Sequence, residues 1–439
     1  MSVRPKNSIF ALCLQFVINM NIYKANILFT PTPSAFQIIE NGYVVVEDGI
    51  IEGIYEQLPA NYKGETITDF GDSLLIPAMN DVHVHAPQYR NQGIAMDLEL
   101  LPWLDNYTFP EEIKYADTQY AERMYRRFVY DLWRQGTMRT VAFATIHKES
   151  TRLLMRLFEE AGMGALVGKV DMNRNCPEQL QETVEDAIAD NEALIAEFNH
   201  NSLVRPIITP RFIPSCTPEM LKACGELAQK YNLPVQSHLS ENRGEIQWVS
   251  ELEPQSTCYG QAYNRYGLFG QTPTVMAHCV WTKGEELQLM MQNHVMVAHC
   301  PTSNLNLSSG MANIRTFLEQ QVPVGLGCDI SGGHDLSIFR VMVYAIQISK
   351  MQYCADKSKP FLTLPEAFWI ATKSAGQIFG KVGSFEQGYE FDALVIDDQD
   401  LNHDNYSLIH RLERFIYIGD DRYIAHRFCR GKEILKPEI

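Results

Sequence analysis

Eight short apolar runs follow one another between residues 74 and 330, and no other feature of the chain restricts its fold as much. They read "LLIPAMNDVHVH", "RTVAFAT" (139–145), "GALVGKVDM" (164–172), "RPIITPRF" (205–212), "PVQSHLSE" (234–241), "TVMAHCV" (274–280), "VMVAHCPTSN" (295–304) and "PVGLGCDI" (323–330). Helical patterns such as "ADTQYAERMYRRFVYDLWRQG", "TPEMLKACGELAQKYN" and "KGEELQLMMQNH" separate most of them. Strands alternating with helices make a parallel sheet, and eight such units predict an α/β fold of the (β/α)8 TIM-barrel type. An open doubly wound sheet is the competing topology. If it bound a dinucleotide it would need a G-x-G-x-x-G turn after a strand, and none occurs.

The two ends have another rhythm. "YKANILFT", "GYVVVEDGIIEGIYE" and "ETITDFGDSLLIP" read as strands and turns, with Asp48-Gly49 as a hairpin signal. "FDALVIDD", "RFIYIGD" and "IAHRFCRGKEI" return to that style at the C-terminus. Residues 21–76 and 380–439 are therefore expected to form one small β-sandwich domain beside a catalytic barrel over 77–379. Residues 1–20 have two basic residues before the apolar "IFALCLQFVI" but no A-x-A cleavage site. They read as an N-terminal extension outside the native fold, either loosely attached or preceding a translation start at Met20.

A formal charge of −16 makes nucleic acid and anionic membranes poor partners and suits a neutral or cationic small substrate. The ten cysteines show no C-x-x-C pair, which points to free thiols in a reducing compartment.

Chemistry in an eightfold barrel gathers at the C-terminal ends of the strands. The first run ends in His83-Val84-His85, whose alternate residues share one face, so both imidazoles can enter the barrel mouth. The fifth ends in His238 with Glu241 three residues on, the sixth in His278 and the eighth in Asp329. His83, His85, His238 and Asp329 can enclose a divalent cation, with zinc the best match to nitrogen and oxygen donors and an open position. Such an ion brings a water's pKa down to about 7. Asp329 can then take the water's proton, His278 can hold the nucleophile, and Glu241 can carry the proton to substrate.

A single histidine in a chain with twelve is more often structural than functional, and H-x-H alone is a weak motif. Core packing, however, gives no reason to end four strands in ionisable groups. His299 reads either as a support for the metal shell or as a hydrogen-bonded core residue, and His334 as a mouth or loop residue. His147 in "HKE" matches half of a zinc-deaminase signature whose P-C-x-x-C half is missing. His200, His294, His403, His410 and His426 fall in peripheral stretches and receive no role.

Taken in order, the N-terminal β segment, "HVH" after "IPAMND", "SHLSE", "MAHC", "HCPTSN" and "GLGCDIS" resemble the amidohydrolase superfamily from about residue 21 to the C-terminus. "HVHAPQY", "LPWLDNYTFPEE", "TPRFIPSC" and "SHLSEN" resemble the members of it that act on guanine. The resemblance implies hydrolytic deamination of guanine to xanthine and ammonia, with one zinc per chain, in a cytoplasmic homodimer. It carries the metal-ligand role to His83, His85, His238 and Asp329, the proton shuttle to Glu241 and the water-orienting role to His278. It also implies that Gln88, Arg211 and Phe212 contact the base. Arg211 would donate to O6 or N7, Gln88 would donate and accept on the same edge, and Phe212 would offer an apolar face. "LPWLDNYTFPEE" is expected to be a lid over the base, or a packed loop in which Trp103, Tyr107 and Phe109 serve as core.

Three alternatives stay open at this level. One is a deaminase of another aminated heterocycle. Another is a cyclic-amide hydrolase with two metals bridged by a carboxylated lysine; the fourth run has no lysine, and Lys169 ends the third. The last is a non-catalytic barrel scaffold, against which the complete ligand set argues.

Overall fold

The computed structural model describes residues 20–401 and 404–439. The predicted extension before Met20, and His403, lie outside the described residues. Strands from the two chain ends hydrogen-bond in one continuous seven-stranded ladder. Its spatial order is Lys432–Glu433, Ile424–Cys429, Ala393–Ile396, Ile67–Pro77, Met20–Thr32, Ala35–Glu47 and Ile50–Tyr55. Alternation assigns its faces. Ala25, Ile27, Phe29, Val44, Val46, Leu75 and Val395 pack in one core, where Tyr23 and Phe391 stack at 4.9 Å. Leu28, Leu74, Ile76, Leu394 and Ile396 belong to the larger core of the barrel. Both faces are covered, so "LLIP" is apolar without a break. Asp48 (φ 49°) and Gly49 (φ 85°) make the hairpin turn with the left-handed backbone that such turns need.

The eight barrel strands are Met79–His85, Thr137–Phe143, Gly164–Gly168, Val204–Pro206, Val235–Leu239, Thr274–His278, Met296–His299 and Val324–Leu326. They pair in parallel within two groups of four. A bridge between Ile208 and Val235, with Gln236 N donating to Ile208 O at 3.0 Å, joins the groups on one side. On the other side Asp329 N donates to His83 O at 2.9 Å and His85 N to Ile330 O at 3.1 Å, which closes the ring. The first and eighth strands approach closely there because Gly327 has no side chain. A Cβ at that position would stand 2.8 Å from His83 Cβ and 2.9 Å from Cys300 Sγ. Inside the ring Val82, Val141, Leu166, Ile207, Val275 and Ala298 pack together. The three helical patterns form helices at Thr118–Arg134, Pro218–Tyr231 and Gly284–Asn293. In the second of these Thr217 caps the start, Pro218 opens the first turn and Asn232 (φ 50°) ends the helix in left-handed backbone.

Several local expectations are corrected. "RFIYIGD" is not a strand: Leu408–Ile418 is a helix started by Ser407, with Arg411, Leu412, Phe415 and Ile416 buried at helical spacing. "LLIP" belongs to the terminal sheet, and only Met79–His85 is barrel strand. The third and fourth runs are interrupted, continuing as the short pair Val170–Asp171 and Thr209–Pro210. Asp329 does not end strand eight but sits in the loop after Leu326.

The barrel floor is tied to the terminal sheet by a buried charge cluster. Arg139 Nε donates to Asp392 Oδ2 at 2.5 Å and its Nη2 to Glu390 Oε2 at 2.5 Å, while Arg430 N donates to Asp392 Oδ1 at 2.6 Å. Removing the arginine would leave a buried carboxylate without its cation. Arg139→Met is therefore expected to lower unfolding stability by about 3–5 kcal/mol in chemical denaturation. A change within experimental error would show that this cluster does not hold the two parts together.

Candidate active site

His83, His85, His238, His278, Glu241 and Asp329 converge at the C-terminal mouth of the barrel. His83 and His85 lie on strand one, His238 on strand five and His278 on strand six. Asp329 and His278 have left-handed backbone, with φ 47° and 72°. Such conformations are uncommon outside glycine and persist where surrounding contacts over-determine them. His85 Nε2 faces His238 Nε2 at 3.2 Å, and Asp329 Oδ1 lies 3.2 Å from His83 Nε2 and 3.5 Å from His85 Nε2. Two donors bound to one ion at about 2.0–2.1 Å in tetrahedral geometry stand about 3.3 Å apart, so these spacings fit a small divalent cation. His83, His85 and His238 offer donor atoms all within 4.8 Å of one another, and His83, His278 and Asp329 form a second such group.

Hydrogen bonding supports the same reading. His238 Nδ1 donates to the Arg211 carbonyl at 2.7 Å, which turns a lone pair on Nε2 toward His85. His83 Nε2 is buried without a hydrogen-bond partner. Burial holds His83, His85 and His238 below the ordinary histidine range, keeping neutral imidazoles ready to ligate. Burial also acts on Asp329, but His83, His278 and His85 outweigh it and hold the carboxyl well below its usual value.

Further buried ionisable groups sit beside this cluster. His278 Nε2 lies 3.4 Å from Glu241 Oε2 and 3.7 Å from Asp329 Oδ2, and its Nδ1 is fixed by Asn304 Oδ1 at 2.9 Å. Ser309 Oγ donates to Glu241 Oε1 at 2.9 Å. Burial raises the Glu241 carboxyl above its ordinary range, which favours a form able to give up a proton. Glu245 accepts from Glu241 N at 3.0 Å and from Tyr259 Oη at 2.8 Å, and burial together with the Glu241 charge pushes it up to about 7.

These groups open into a cavity lined also by Gln88, Leu100, Trp103, Leu104, Arg211 and Phe212. Arg211 makes a bidentate pair with Glu112, at 2.6 and 3.1 Å, with its guanidinium 5.2 Å from the Phe109 ring. Gln88 Nε2 donates to Glu112 Oε1 at 2.9 Å, and Gln88 Oε1 accepts from Ser331 N at 3.1 Å. One lone pair of the carbonyl oxygen expected to accept from a base is thus already engaged. The "LPWLDNYTFPEE" segment is helical rather than a loop, running through Leu100–Trp103, Leu104–Thr108 and Phe109–Glu112. Trp103 and Phe109 are buried as expected, whereas Tyr107 is 38% exposed and is not core.

Other histidines stay outside. His299 is buried with Nδ1 unpartnered, and burial pushes its pKa down to about 3. His334 bonds Asn306 at 3.0 Å, and His147 precedes the helix Lys148–Ala161. Lys169 is sealed between Asp171 (2.9 Å) and Glu182 (2.7 Å), apart from the cluster. Sequence reasoning missed Glu112, Asn304, Ser309 and Ser331. Asn304 stood inside the quoted "HCPTSN" and Glu112 ended the quoted aromatic segment, but nothing local separated them from ordinary polar residues.

The Amidohydrolase family profile matches residues 74–434, and the chain belongs to that family. Among curated proteins it is 36% identical to the guanine deaminase of Dictyostelium discoideum over 442 residues, covering 94% of this chain and 98% of that one. It is 33% identical to the guanine deaminase of Escherichia coli over 415 residues, covering 91% and 92%. Among solved structures it resembles the guanine deaminase from C. acetobutylicum with guanine bound in its active site. There the identity is 50%, the TM-score 0.94 and the coverage 95% of this chain and 100% of that one.

Metal analysis of purified protein tests the cluster. The expected result is close to one divalent ion per chain, removed by a strong chelator with a fall in Tm and restored with it on readdition. His238→Ala should bind less than a tenth as much metal, as expected for a lost ligand. A variant that retained full occupancy would place the ion elsewhere.

Proposed function

We propose that this chain hydrolyses guanine at C2 to xanthine and ammonia. The observation that carries the reading is the single cavity in which a metal-fitting cluster meets Arg211, Gln88 and Glu241. His83, His85, His238 and Asp329 would hold a divalent cation, which when bound would supply an activated water at neutral pH. Zinc, one per chain, suits three imidazoles and a carboxylate. The protein's residues do the rest. Arg211 and Gln88 donate to the O6/N7 edge of the base, and Phe212 offers an apolar ring against its plane. Asp329 and His278 hold the water, with Asp329 taking its proton. Glu241 protonates the ring nitrogen next to C2, which makes that carbon electrophilic.

The water oxygen then bonds to C2, giving a tetrahedral carbon. Glu241, now deprotonated, takes the proton of the new C2 hydroxyl and hands it to the amino nitrogen; the C2–N bond breaks, ammonia leaves, and the water proton held by Asp329 restores Glu241. Water and guanine balance xanthine and ammonia, with no redox step. Trp103, Leu100 and Leu104 roof the base and keep bulk water from the reacting carbon. No helix among the described residues is long and apolar enough to cross a membrane. A cytoplasmic homodimer is the assembly we infer from the family resemblance, and light scattering on the purified protein checks its mass.

Ammonia release from guanine tests the reaction. Glu241→Gln should lower kcat at least about 10²-fold while retaining its metal, because the proton carrier is lost. Adenine should be turned over at no more than roughly 10⁻⁴ of the guanine kcat/KM, since in guanine's pose its C2 carries no amino group and its C6 amino group would face unmatched donors. Equal rates on the two bases would refute the assignment. Trp103→Ala should raise KM for guanine about tenfold with the fold intact, as expected for a residue that covers the base. An unchanged KM would remove the roof from the account.

A further inference from the structure

We propose that Glu112 is a positioning residue that makes Gln88 and Arg211 a donor-only reader of the base, and so decides which purines are accepted. The inference rests on the guanine reading above and goes beyond it. Glu112 is nearly fully buried and does not line the cavity; it lies behind the two residues that do. Its Oε2 accepts from Arg211 Nη1 at 2.6 Å, and its Oε1 accepts from both Arg211 Nη2 (3.1 Å) and Gln88 Nε2 (2.9 Å).

A carboxylate paired with an arginine can only accept, so it fixes which end of the Gln88 amide faces it. Ser331 does the same from the other side: its backbone N–H, 3.1 Å from Gln88 Oε1, can only donate, and its hydroxyl lies at 3.5 Å. A flipped amide would set acceptor against acceptor and donor against donor, so one orientation remains. With the Ser331 N–H and hydroxyl on the two lone pairs of Gln88 Oε1, the Gln88 valence left unused is the second N–H of its amide, and Arg211 offers only N–H groups. Two fixed donors match adjacent acceptors, as O6 and N7 of guanine are, and oppose an edge that carries an amino group, as adenine's does. Rejection of 6-aminopurines thus follows from a carboxylate that never touches the ligand.

The test uses the metal-loaded enzyme with guanine as substrate and hypoxanthine and adenine as competitive inhibitors. Hypoxanthine carries O6 and N7; adenine carries an amino group and N7. Glu112→Gln, nearly isosteric, lets the Gln88 amide turn. It should raise the guanine KM and the hypoxanthine Ki about tenfold or more, change kcat less than about threefold, and leave the adenine Ki level or lower. Tm and metal content accompany each measurement.

The exchange Gln88→Glu with Glu112→Gln keeps the charge and inverts the polarity of position 88, so adenine should then bind more tightly than hypoxanthine. This variant decides the matter if the single substitution does not fold. Constants within threefold of wild type, kcat falling as far as KM rises, or hypoxanthine and adenine weakening in parallel would each overturn the proposal. A wild-type enzyme inactive on guanine would instead sink the reading on which it rests.

Discussion

The seam between the first and eighth barrel strands is the constraint on which the site depends. Two backbone hydrogen bonds, from Asp329 N to His83 O and from His85 N to Ile330 O, bring residues from opposite ends of the barrel into register. Asp81 adds a side-chain clamp, accepting from His83 N at 3.1 Å and from Cys328 N at 3.2 Å. The same bonds that close the ring set two imidazoles and a carboxylate within reach of one centre. Groups in this arrangement would repel or remain unsatisfied without a shared cation. Ring closure and ligand placement are therefore one event.

Around that centre the buried charges are matched locally. Imidazoles of His83, His85 and His278 surround the Asp329 carboxylate, and Arg211 meets Glu112. Arg211 also ties the two halves of the cavity together. Its side chain lies on the substrate side, while its carbonyl accepts from His238 Nδ1 and aims that imidazole at the cluster. A shift of this loop would move the Arg211 side chain in the cavity and the His238 imidazole together. Ser237 Oγ also donates to the Arg211 carbonyl, at 3.1 Å, and holds the same segment.

Much of this was legible in the sequence because period and position carry it. Parallel strands buried on both faces leave unbroken apolar runs, and ionisable residues after such runs have few places to go but the mouth. The misses have physical causes as well. Arg411, Leu412, Phe415 and Ile416 form a helical face, but "RFIYI" is rich in residues that also suit strands, so local preference competes with spacing. The segment from Leu100 to Glu112 mixes Pro, Asn and aromatic residues, and packing over the cavity makes it helical where propensity does not. Glu112 could not be told from Glu111 beside it. Glu111 instead meets Lys114 at 2.6 Å, and only the meeting with Arg211, far along the chain, distinguishes the two carboxylates.

Crystallographic anomalous scattering at the metal's absorption edge measures the central claim most directly. One peak per chain, with His83 Nε2, His85 Nε2, His238 Nε2 and an Asp329 oxygen as its protein ligands, is the predicted map. A peak held by other residues, or a metal-replete crystal with no peak among these four, would contradict the account.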